Sequence, residues 1–240
     1  MPAARLSGQQ ARVLRELGID VWRLREAQQS LTAAEPVPPA ATNVEQEHTA
    51  PVADIAAGDW DDLNAAIRSC TCCELCNTRN RAVCGVGDPQ ADWLIIGEAP
   101  GADEDRQGEP FVGRAGQLLN EMLRAIGLNR EQVFIANVLK CRPPNNRDPQ
   151  SVEVDACLPY LRRQIELLQP KVILVAGRIA AQALLQADKP LSALRGQCHE
   201  FGGIPLVVTY HPAYLLRSPA QKSKSWADLK LALDVIAGAA

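Results

Sequence analysis

Four short apolar runs alternate along the chain with longer stretches whose apolar residues recur at helical spacing. The runs predict β-strands, because a strand buried on both faces needs apolar residues at nearly every position. The predicted strands are 92–97, 133–137, 171–176 and 205–209, and the predicted helices are 115–127, 149–168, 178–187 and 219–237. This alternation predicts an α/β fold of three layers, in which a mostly parallel central sheet is flanked by helices.

Local signals indicate where two of the helices begin. Asp148 followed by Pro149 is typical of an N-cap residue and a proline in the first helical position. Further upstream, Leu63, Ala66 and Ile67 have the spacing of a short helix. The folded part of the chain is therefore expected to start near Asp61.

The first quarter of the chain differs in composition from the rest. Residues 8–18 show helical spacing that ends at Gly18, whereas 27–58 are rich in Ala, Pro, Glu, Gln and Thr and lack an apolar period. We expect three parts: a partner-binding peptide over 1–26, a flexible linker over 27–60, and one folded domain over 61–240.

Composition narrows the class of protein. The chain is 47% hydrophobic, and its apolar runs are too short to cross a bilayer. It does not open with a charged segment followed by a long apolar one, so we expect a cytoplasmic protein without a signal peptide. Eight cysteines in a reducing compartment favour metal or cluster ligation over disulfides.

The distribution of charge is more informative than the net charge of −3. Residues 1–60 hold 5 Lys/Arg against 8 Asp/Glu, whereas the remaining residues hold 20 of each. Basic residues gather in two places on that neutral part, as Lys140, Arg142 and Arg147 and as Arg217, Lys222, Lys224 and Lys230. Such strips are typical either of contacts with a few phosphates or of a solvated mixed surface, and charge alone leaves both open.

Four of the cysteines fall within seven residues, as Cys70, Cys72, Cys73 and Cys76. Two C-x₂-C pairs overlap there, and Cys141 and Cys157 lie far downstream. Four thiolates from distant segments would form a closed site for tetrahedral zinc or for a [4Fe–4S] cluster, and spacing does not choose between the two. Cys84 and Cys198 are expected to be small buried residues.

A loop rich in glycine and carboxylate follows the first predicted strand. It runs through Gly97-Glu-Ala-Pro-Gly-Ala-Asp-Glu-Asp105 and on to Gly108-Glu-Pro-Phe-Val-Gly-Arg-Ala-Gly116. Open α/β sheets bind their ligands at the carboxyl ends of the strands, so this loop is the first candidate for a binding site. Glycines there allow a substrate to approach the backbone closely.

Several motifs together resemble one known family. In order they are Cys70-x₂-Cys73, Thr78-Arg79, the Gly97–Gly116 loop, Asn137-Val-Leu-Lys-Cys-Arg-Pro-Pro144 with Arg147, Cys157, and His211-Pro-Ala-Tyr-Leu-Leu-Arg217. Their order and spacing resemble the family 4 uracil-DNA glycosylases, which carry an iron–sulfur cluster. The resemblance covers about residues 62–236 and implies DNA containing uracil as the substrate.

The resemblance also implies a set of site residues. It assigns the cluster ligands as Cys70, Cys73, Cys141 and Cys157, with Cys76 as an alternative to Cys70. It implies Glu98, Asn137 and His211 as catalytic residues, and Ala99 stands where better-known uracil glycosylases place a water-activating aspartate. The implied substrate contacts are Gly97, Ala99, Gly101, Glu104, Phe111, Asn137, Leu216 and Arg217, with Tyr214–Arg217 as a wedge loop.

The residues themselves leave plainer alternatives open. Phe111 suits a stacking face for a base but also a core position, and its place between Pro110 and Gly113 favours exposure. An asparagine at a strand end, such as Asn137, is often a turn former. His211 is equally suited to a structural role, and Glu104 and Asp105 are equally suited to capping the next turn.

The N-terminal peptide suggests a second class of function. The segment Leu14–Arg25 is apolar, and its Trp22 is a suitable anchor for a partner's pocket. It looks like the N-terminal peptide of the psi subunit of the DNA polymerase III clamp loader. The alternative hypothesis is a replication adaptor that docks on a clamp loader or another replication protein through residues 9–25; packing of the peptide on its own domain is the plainer alternative.

Overall fold

The apolar runs form the centre of a six-stranded sheet in the computed structural model, which describes residues 58–238. Its strands are β1 (Val86–Gly87), β2 (Trp93–Gly97), β3 (Phe134–Asn137), β4 (Val172–Ala176), β5 (Cys198–Phe201) and β6 (Ile204–Thr209). Their order across the sheet is β1-β3-β2-β4-β6-β5. The four central strands are parallel, and the two edge strands are antiparallel to their neighbours.

The described residues also form eight helices. They are α1 (Trp60–Ser69), α2 (Ala102–Gln107), α3 (Arg114–Ala125), α4 (Ser151–Leu168), α5 (Arg178–Leu185), α6 (Leu191–Leu194), α7 (Pro212–Arg217) and α8 (Lys222–Gly238). Short 3₁₀ turns occupy Glu74–Asn77, Arg130–Gln132, Pro144–Asn146 and Pro219–Gln221.

The sheet separates two apolar layers. Alternate residues of a strand point to opposite faces, so Leu94 and Ile96 of β2 pack with α4 and α5, whereas Trp93 and Ile95 pack with α3 and α8. The expected three-layer α/β fold with a mostly parallel sheet is therefore confirmed. All four predicted strands are present with small shifts of their ends.

Both edge strands went unpredicted, because neither has a continuous apolar run. β1 is two residues long, and β5 alternates between exposed and half-buried positions. Cys84 is buried as expected, but the expectation for Cys198 is wrong, since it lies exposed on the edge strand β5. An edge strand has one open side, so its residues need not be apolar.

The predicted start of α4 is also wrong. Its N-cap is Gln150, which forms a capping box with Glu153, and Asp148 and Pro149 lie before the helix. The helix predicted over 219–237 begins as a 3₁₀ turn and becomes α-helical at Lys222. At the other end of the domain, α1 begins at Trp60 because Asp59 caps it by accepting hydrogen bonds from the Asp61 and Asp62 amides.

The proposed peptide over 1–26 and all but the last residues of the proposed linker lie outside the described residues. Between residues 58 and 238, no helix combines the length and the apolar character that a membrane crossing requires.

A buried ion pair joins α8 to the segment before β5. Arg195 donates to Asp228 Oδ2 from Nε at 2.8 Å and from Nη2 at 2.6 Å, and only 9% and 1% of the two side chains are exposed. The same guanidinium lies 4.1 Å from the centre of the Tyr210 ring. Beside the pair, the Thr209 and Ser225 hydroxyls are 2.6 Å apart. Together these contacts fix α8 against the end of β6.

Replacing Asp228 with alanine is expected to lower the free energy of unfolding by about 3 kcal/mol, because it leaves the Arg195 guanidinium buried without its partner. Asp92 forms an exposed ion pair with Lys171, so Asp92→Ala is a matched control with an expected loss below about 1 kcal/mol. Urea unfolding of the two variants measures the difference. Equal losses of unfolding free energy would show that the buried Arg195–Asp228 pair stabilises the fold no more than an exposed pair does.

Candidate active site

The carboxyl ends of the parallel strands form one crevice. In the sheet, β2 lies between β3 and β4. The chain runs from β2 to its neighbour β3 and then crosses to the opposite side of β2 to form β4. Ligands in open α/β sheets bind at such a switch point. A cavity of about 430 Å³ lies there, the size of a small-molecule pocket, and its walls include Glu98, Ala99, Gly101, Glu104, Phe111, Asn137, Tyr214, His211 and Arg217.

Gly97 controls how the floor of this pocket packs. It ends β2 beside Asn137, the last residue of β3. A Cβ atom on Gly97 would collide with Asn137 Oδ1 and would lie 2.7 Å from the Phe111 ring. The missing side chain therefore lets a carboxamide and an aromatic ring occupy the same strand end, and Gly97 acts here through packing rather than as part of the pocket wall.

The backbone of Phe111 is held in an unusual conformation. Its φ angle is +54°, in the left-handed region that a bulky residue rarely adopts. Arg130 donates to the Phe111 carbonyl at 3.1 Å and also to the Pro110 carbonyl. A side chain on Gly116 would collide with the Phe111 carbonyl, so this glycine leaves room for the turn. Local strain that distant residues hold in place is typical of functional sites.

The expected exposure of Phe111 is wrong. Only 5% of the side chain is exposed, and its ring stacks on the His211 ring with centroids 5.4 Å apart. Phe111 nevertheless lines the pocket. Phe111 therefore fits both a core position and a stacking face, since its ring packs in the core and also borders the cavity.

His211 follows β6 and caps α7. Its Nδ1 accepts a hydrogen bond from the Ala213 amide at 3.1 Å, so in the neutral ring the proton lies on Nε2. Burial, with a smaller contribution from the charge of Arg217, lowers the pKa of His211 to about 4. At neutral pH the pocket therefore contains an uncharged imidazole that can donate one hydrogen bond.

Glu98 is the first residue after β2 and is half-buried in the pocket wall. Burial raises the pKa of its carboxyl group to about 7; the negative charge of Asp148 also raises it, and Arg178 opposes the shift. A carboxyl group with a pKa near 7 can exchange a proton at physiological pH, which is the requirement for a general base.

The carboxylates of α2 have different surroundings. Glu104 lines the pocket near Gly101, whereas Asp105 is buried and accepts hydrogen bonds from the Asn80 side chain and, at 2.8 Å, from the Asn80 amide. Neither of them caps the helix, because Gly101 is its N-cap and no side chain bonds there. Glu104 is available to a substrate, and Asp105 has a structural role.

The predicted wedge loop is a helix. His211 and Pro212 begin α7, which runs to Arg217, so Tyr214–Arg217 are its last residues. Leu215 is buried in the core, Leu216 is partly exposed and does not line the pocket, and Arg217 is exposed at the pocket wall. The Tyr214 ring stacks on Tyr210 at 5.1 Å and forms another part of that wall.

One wall of the pocket was not among the predicted substrate contacts. It consists of Pro143, Asn146, Arg147 and Asp148, in the segment between β3 and α4. Arg147 is held by Glu153, 2.5 Å away at the start of α4. A polar, proline-containing stretch that follows a strand could have predicted this wall, because the same pattern identified the Gly97–Gly116 loop.

Six of the cysteines surround a second, smaller cavity. Its lining includes Cys70, Cys72, Cys73, Cys76, Cys141 and Cys157, which come from the segment after α1, from the segment after β3 and from α4. The structure therefore brings together all four predicted ligands and also the two ambiguous cysteines. Among residues 58–238, no three or more Cys, His, Asp or Glu side chains have the arrangement of ligands around a metal ion.

The other residues around these thiols suit an electron-rich sulfur group. Arg79 donates to Cys141 Sγ at 3.1 Å, and the Lys140 amide donates to Cys157 Sγ at 3.4 Å. The buried Tyr160 hydroxyl lines the same cavity and has no hydrogen-bond partner in the described part of the chain. Donors directed at sulfur are typical of iron–sulfur sites, so these residues fit a cluster.

Residues 84–230 match the family profile of the uracil DNA glycosylase superfamily. The chain therefore belongs to this superfamily, and its mostly parallel sheet with flanking helices is consistent with that assignment. Its curated relatives narrow the assignment. Over 182 residues the chain is 46% identical to a type-4 uracil-DNA glycosylase of Pyrobaculum aerophilum, covering 72% of this chain and 92% of the relative.

Two further type-4 uracil-DNA glycosylases give similar values. The protein of Archaeoglobus fulgidus is 46% identical over 71% of this chain and 89% of its own length. The protein of Thermotoga maritima is 44% identical over 65% of this chain and 82% of its own length. Within the superfamily, the chain is thus a member of the type-4 family.

Proposed function

We propose that the protein hydrolyses the N-glycosidic bond between uracil and deoxyribose in DNA and leaves an abasic site. The observation that carries the proposal is the meeting of Asn137, Phe111 and His211 in one pocket. A carboxamide, an aromatic ring and a neutral imidazole donor are the groups that a pyrimidine edge, its flat face and its carbonyl oxygen require.

Recognition of the base requires that it leave the duplex stack. The cavity of about 430 Å³ has room for an extruded base with its sugar. The Asn137 carboxamide offers both a donor and an acceptor to the uracil edge. Ala99 and Gly101 add little bulk to the wall, Glu104 lies beside them, and Gly97 leaves the space in which Asn137 and Phe111 pack. Phe111 provides an aromatic surface for the bound base.

Bond cleavage develops negative charge on the leaving base. The C1′–N1 bond breaks with its electron pair moving onto uracil, and the oxygen of a water molecule forms the new bond to C1′. Nε2–H of His211 can donate to the uracil oxygen as that charge grows, an electrostatic contribution of the oxyanion-hole type. The neutral ring carries its one proton on Nε2, because Nδ1 accepts from the Ala213 amide.

Glu98 acts on the attacking water. In its ionised form the carboxylate orients the water, accepts a proton from it, and favours positive charge on the sugar. Ala99 has no group that could act as a base, so Glu98, Asn137 and His211 form the proposed catalytic set. Around the pocket, Arg217, Arg142 and Arg147 would contact phosphates. Leu216, beside Arg217, would fill the gap that the extruded base leaves in the stack.

We further infer that Cys70, Cys73, Cys141 and Cys157 hold a [4Fe–4S] cluster. A bound cluster would join three distant segments of the chain and provide a redox-active group. Arg79 and the Tyr160 hydroxyl would donate to its sulfur atoms. The presence of Cys72 and Cys76 at the same cavity keeps open an exchange of Cys76 for Cys70.

An adaptor role is the second candidate function, and the Trp22 peptide is the observation that favours it. Docking of residues 9–25 on a clamp loader is compatible with glycosylase activity, because the peptide lies outside the region that matches the superfamily. Both functions are consistent with a cytoplasmic protein that acts on DNA.

Uracil release tests the proposed activity. Incubation with a uracil-containing single strand, followed by alkaline cleavage, is expected to give strand breaks at uracil. His211→Asn is expected to lower kcat by about 100-fold or more, because the shorter side chain has no donor at the position of Nε2. His199→Asn is the matched control, since His199 lies on the edge strand β5, where its ring bonds to the Leu194 carbonyl. No abasic sites from folded wild-type protein would contradict the proposal.

The pH dependence of kcat/KM tests Glu98. Activity is expected to rise with pH and to level off above about 7, the pKa of Glu98, because the ionised carboxylate is the active form. Asp148→Asn is expected to move the midpoint to lower pH and Arg178→Gln to higher pH, since the two charges shift this pKa in opposite directions. Shifts of the same sign, or a Glu98→Gln enzyme with an unchanged profile, would exclude the role.

The cysteine assignment predicts iron content. The purified protein is expected to hold about four iron atoms per chain and to be brown. Substitution by serine at Cys70, Cys73, Cys141 or Cys157 should lower the iron content, while Cys198→Ser, at an exposed site, should keep it. A loss with Cys76→Ser and none with Cys70→Ser would reassign that ligand.

The peptide predicts a partner. Full-length protein is expected to retain clamp-loader subunits in a pull-down, and Trp22→Ala or deletion of 1–26 should abolish retention, because the aromatic anchor is lost. Equal retention after the deletion would remove the adaptor role.

A further inference from the structure

Lys140 is a buried lysine that lines the cysteine cavity and bonds to the backbone of Asn137, which lines the larger pocket. Only 2% of the residue is exposed. Its Nζ donates to the main-chain carbonyl of Asn137 at 2.7 Å and to Gln164 Oε1 at 2.6 Å. Burial of an ammonium group is costly unless its hydrogen bonds are satisfied, so these two contacts stabilise the buried charge.

The position of Lys140 along the chain explains its two neighbourhoods. It follows Asn137 by three residues and precedes Cys141 directly, and it lines the cysteine cavity. Its own amide donates to Cys157 Sγ, while its side chain turns back to the end of β3. One residue thus contacts both a proposed cluster ligand and the backbone of the residue proposed to recognise the base.

The Asn137 backbone needs support at this point because the strand ends there. Pairing with the β2 segment continues through the Val138 amide to the Gly97 carbonyl and the Leu139 amide to the Glu98 carbonyl, both at 3.0 Å. Those bonds fix the amide side of the segment, and Lys140 fixes the Asn137 carbonyl. The fixed backbone sets the direction of the Asn137 Cα–Cβ bond, and the close packing of Oδ1 against Gly97 restricts the two side-chain torsions.

Gln164 in turn holds Lys140. It is fully buried in α4, accepts from Nζ through Oε1, and donates from Nε2 to the Cys84 carbonyl. A lysine stem alone is flexible, but these contacts restrict it to one conformation. The chain of contacts therefore runs from α4 through Gln164 and Lys140 to Asn137.

We propose that Lys140 is a positioning residue for uracil recognition, which holds the Asn137 carboxamide in the orientation that the base requires. The inference rests on the proposed function. It follows from the hydrogen bond to the Asn137 carbonyl, because displacement of a substrate-contacting group by about 1 Å is enough to lower a rate substantially.

A double-mutant cycle tests whether Lys140 acts through Asn137. In the cluster-loaded full-length protein, Lys140→Met is expected to lower the single-turnover rate of uracil release by about 30-fold, and by less than about 3-fold when Asn137 is already alanine. A merely structural lysine would give equal losses in both backgrounds. Iron content and the urea midpoint of each variant separate a positioning effect from loss of the cluster or of the fold.

Two further variants complete the experiment. Lys171→Met, at an exposed ion pair before β4, is the matched lysine control and is expected to keep the wild-type rate. If Lys140→Met does not fold, Gln164→Leu enters the same cycle, because it removes one of the two ammonium contacts and leaves the charge in place. Losses that are additive with Asn137→Ala would overturn the inference, whereas a wild-type protein that releases no uracil would contradict the proposed function itself.

Discussion

The close contact at Gly97 is the constraint on which the site depends. Asn137 Oδ1 and the Phe111 ring both occupy the space that a side chain would fill at this strand end. Since β2 and β3 are adjacent and parallel, Asn137 lies beside Gly97, and the loop after β2 brings the Phe111 ring to the same strand end. The proposed binding of a flat base depends on this shared position.

Several distant residues support that contact. Arg130 and Gly116 maintain the left-handed backbone of Phe111, and the Phe111 ring stacks on His211, which follows β6. Lys140 holds the carbonyl of Asn137. Hydrogen bonds and packing therefore hold these groups of the pocket in place, which is the arrangement that the proposed electrostatic catalysis requires.

Much of this arrangement could be predicted from periodicity. Glu98, Asn137 and His211 each follow an apolar run, and the carboxyl ends of parallel strands meet at one edge, so their proximity follows from the α/β pattern. The burial of Phe111 could not be predicted, because its backbone angle depends on Arg130, nineteen residues away. The wedge segment was misassigned as a loop because His211 and Pro212 together begin a helix. Lys140 was grouped with the basic surface residues, since only the tertiary structure shows that its side chain turns inward.

In the proposed complex, an extruded uracil lies between the Asn137 carboxamide and the His211 imidazole, against Phe111. A crystal structure with DNA that carries a non-hydrolysable deoxyuridine analogue tests it most directly. We expect the Asn137 carboxamide to bond to the uracil edge, the His211 Nε2 to lie within hydrogen-bond distance of a uracil oxygen, and the base to contact the Phe111 ring. A base that remains stacked in the DNA, or that binds away from Asn137, would contradict the account.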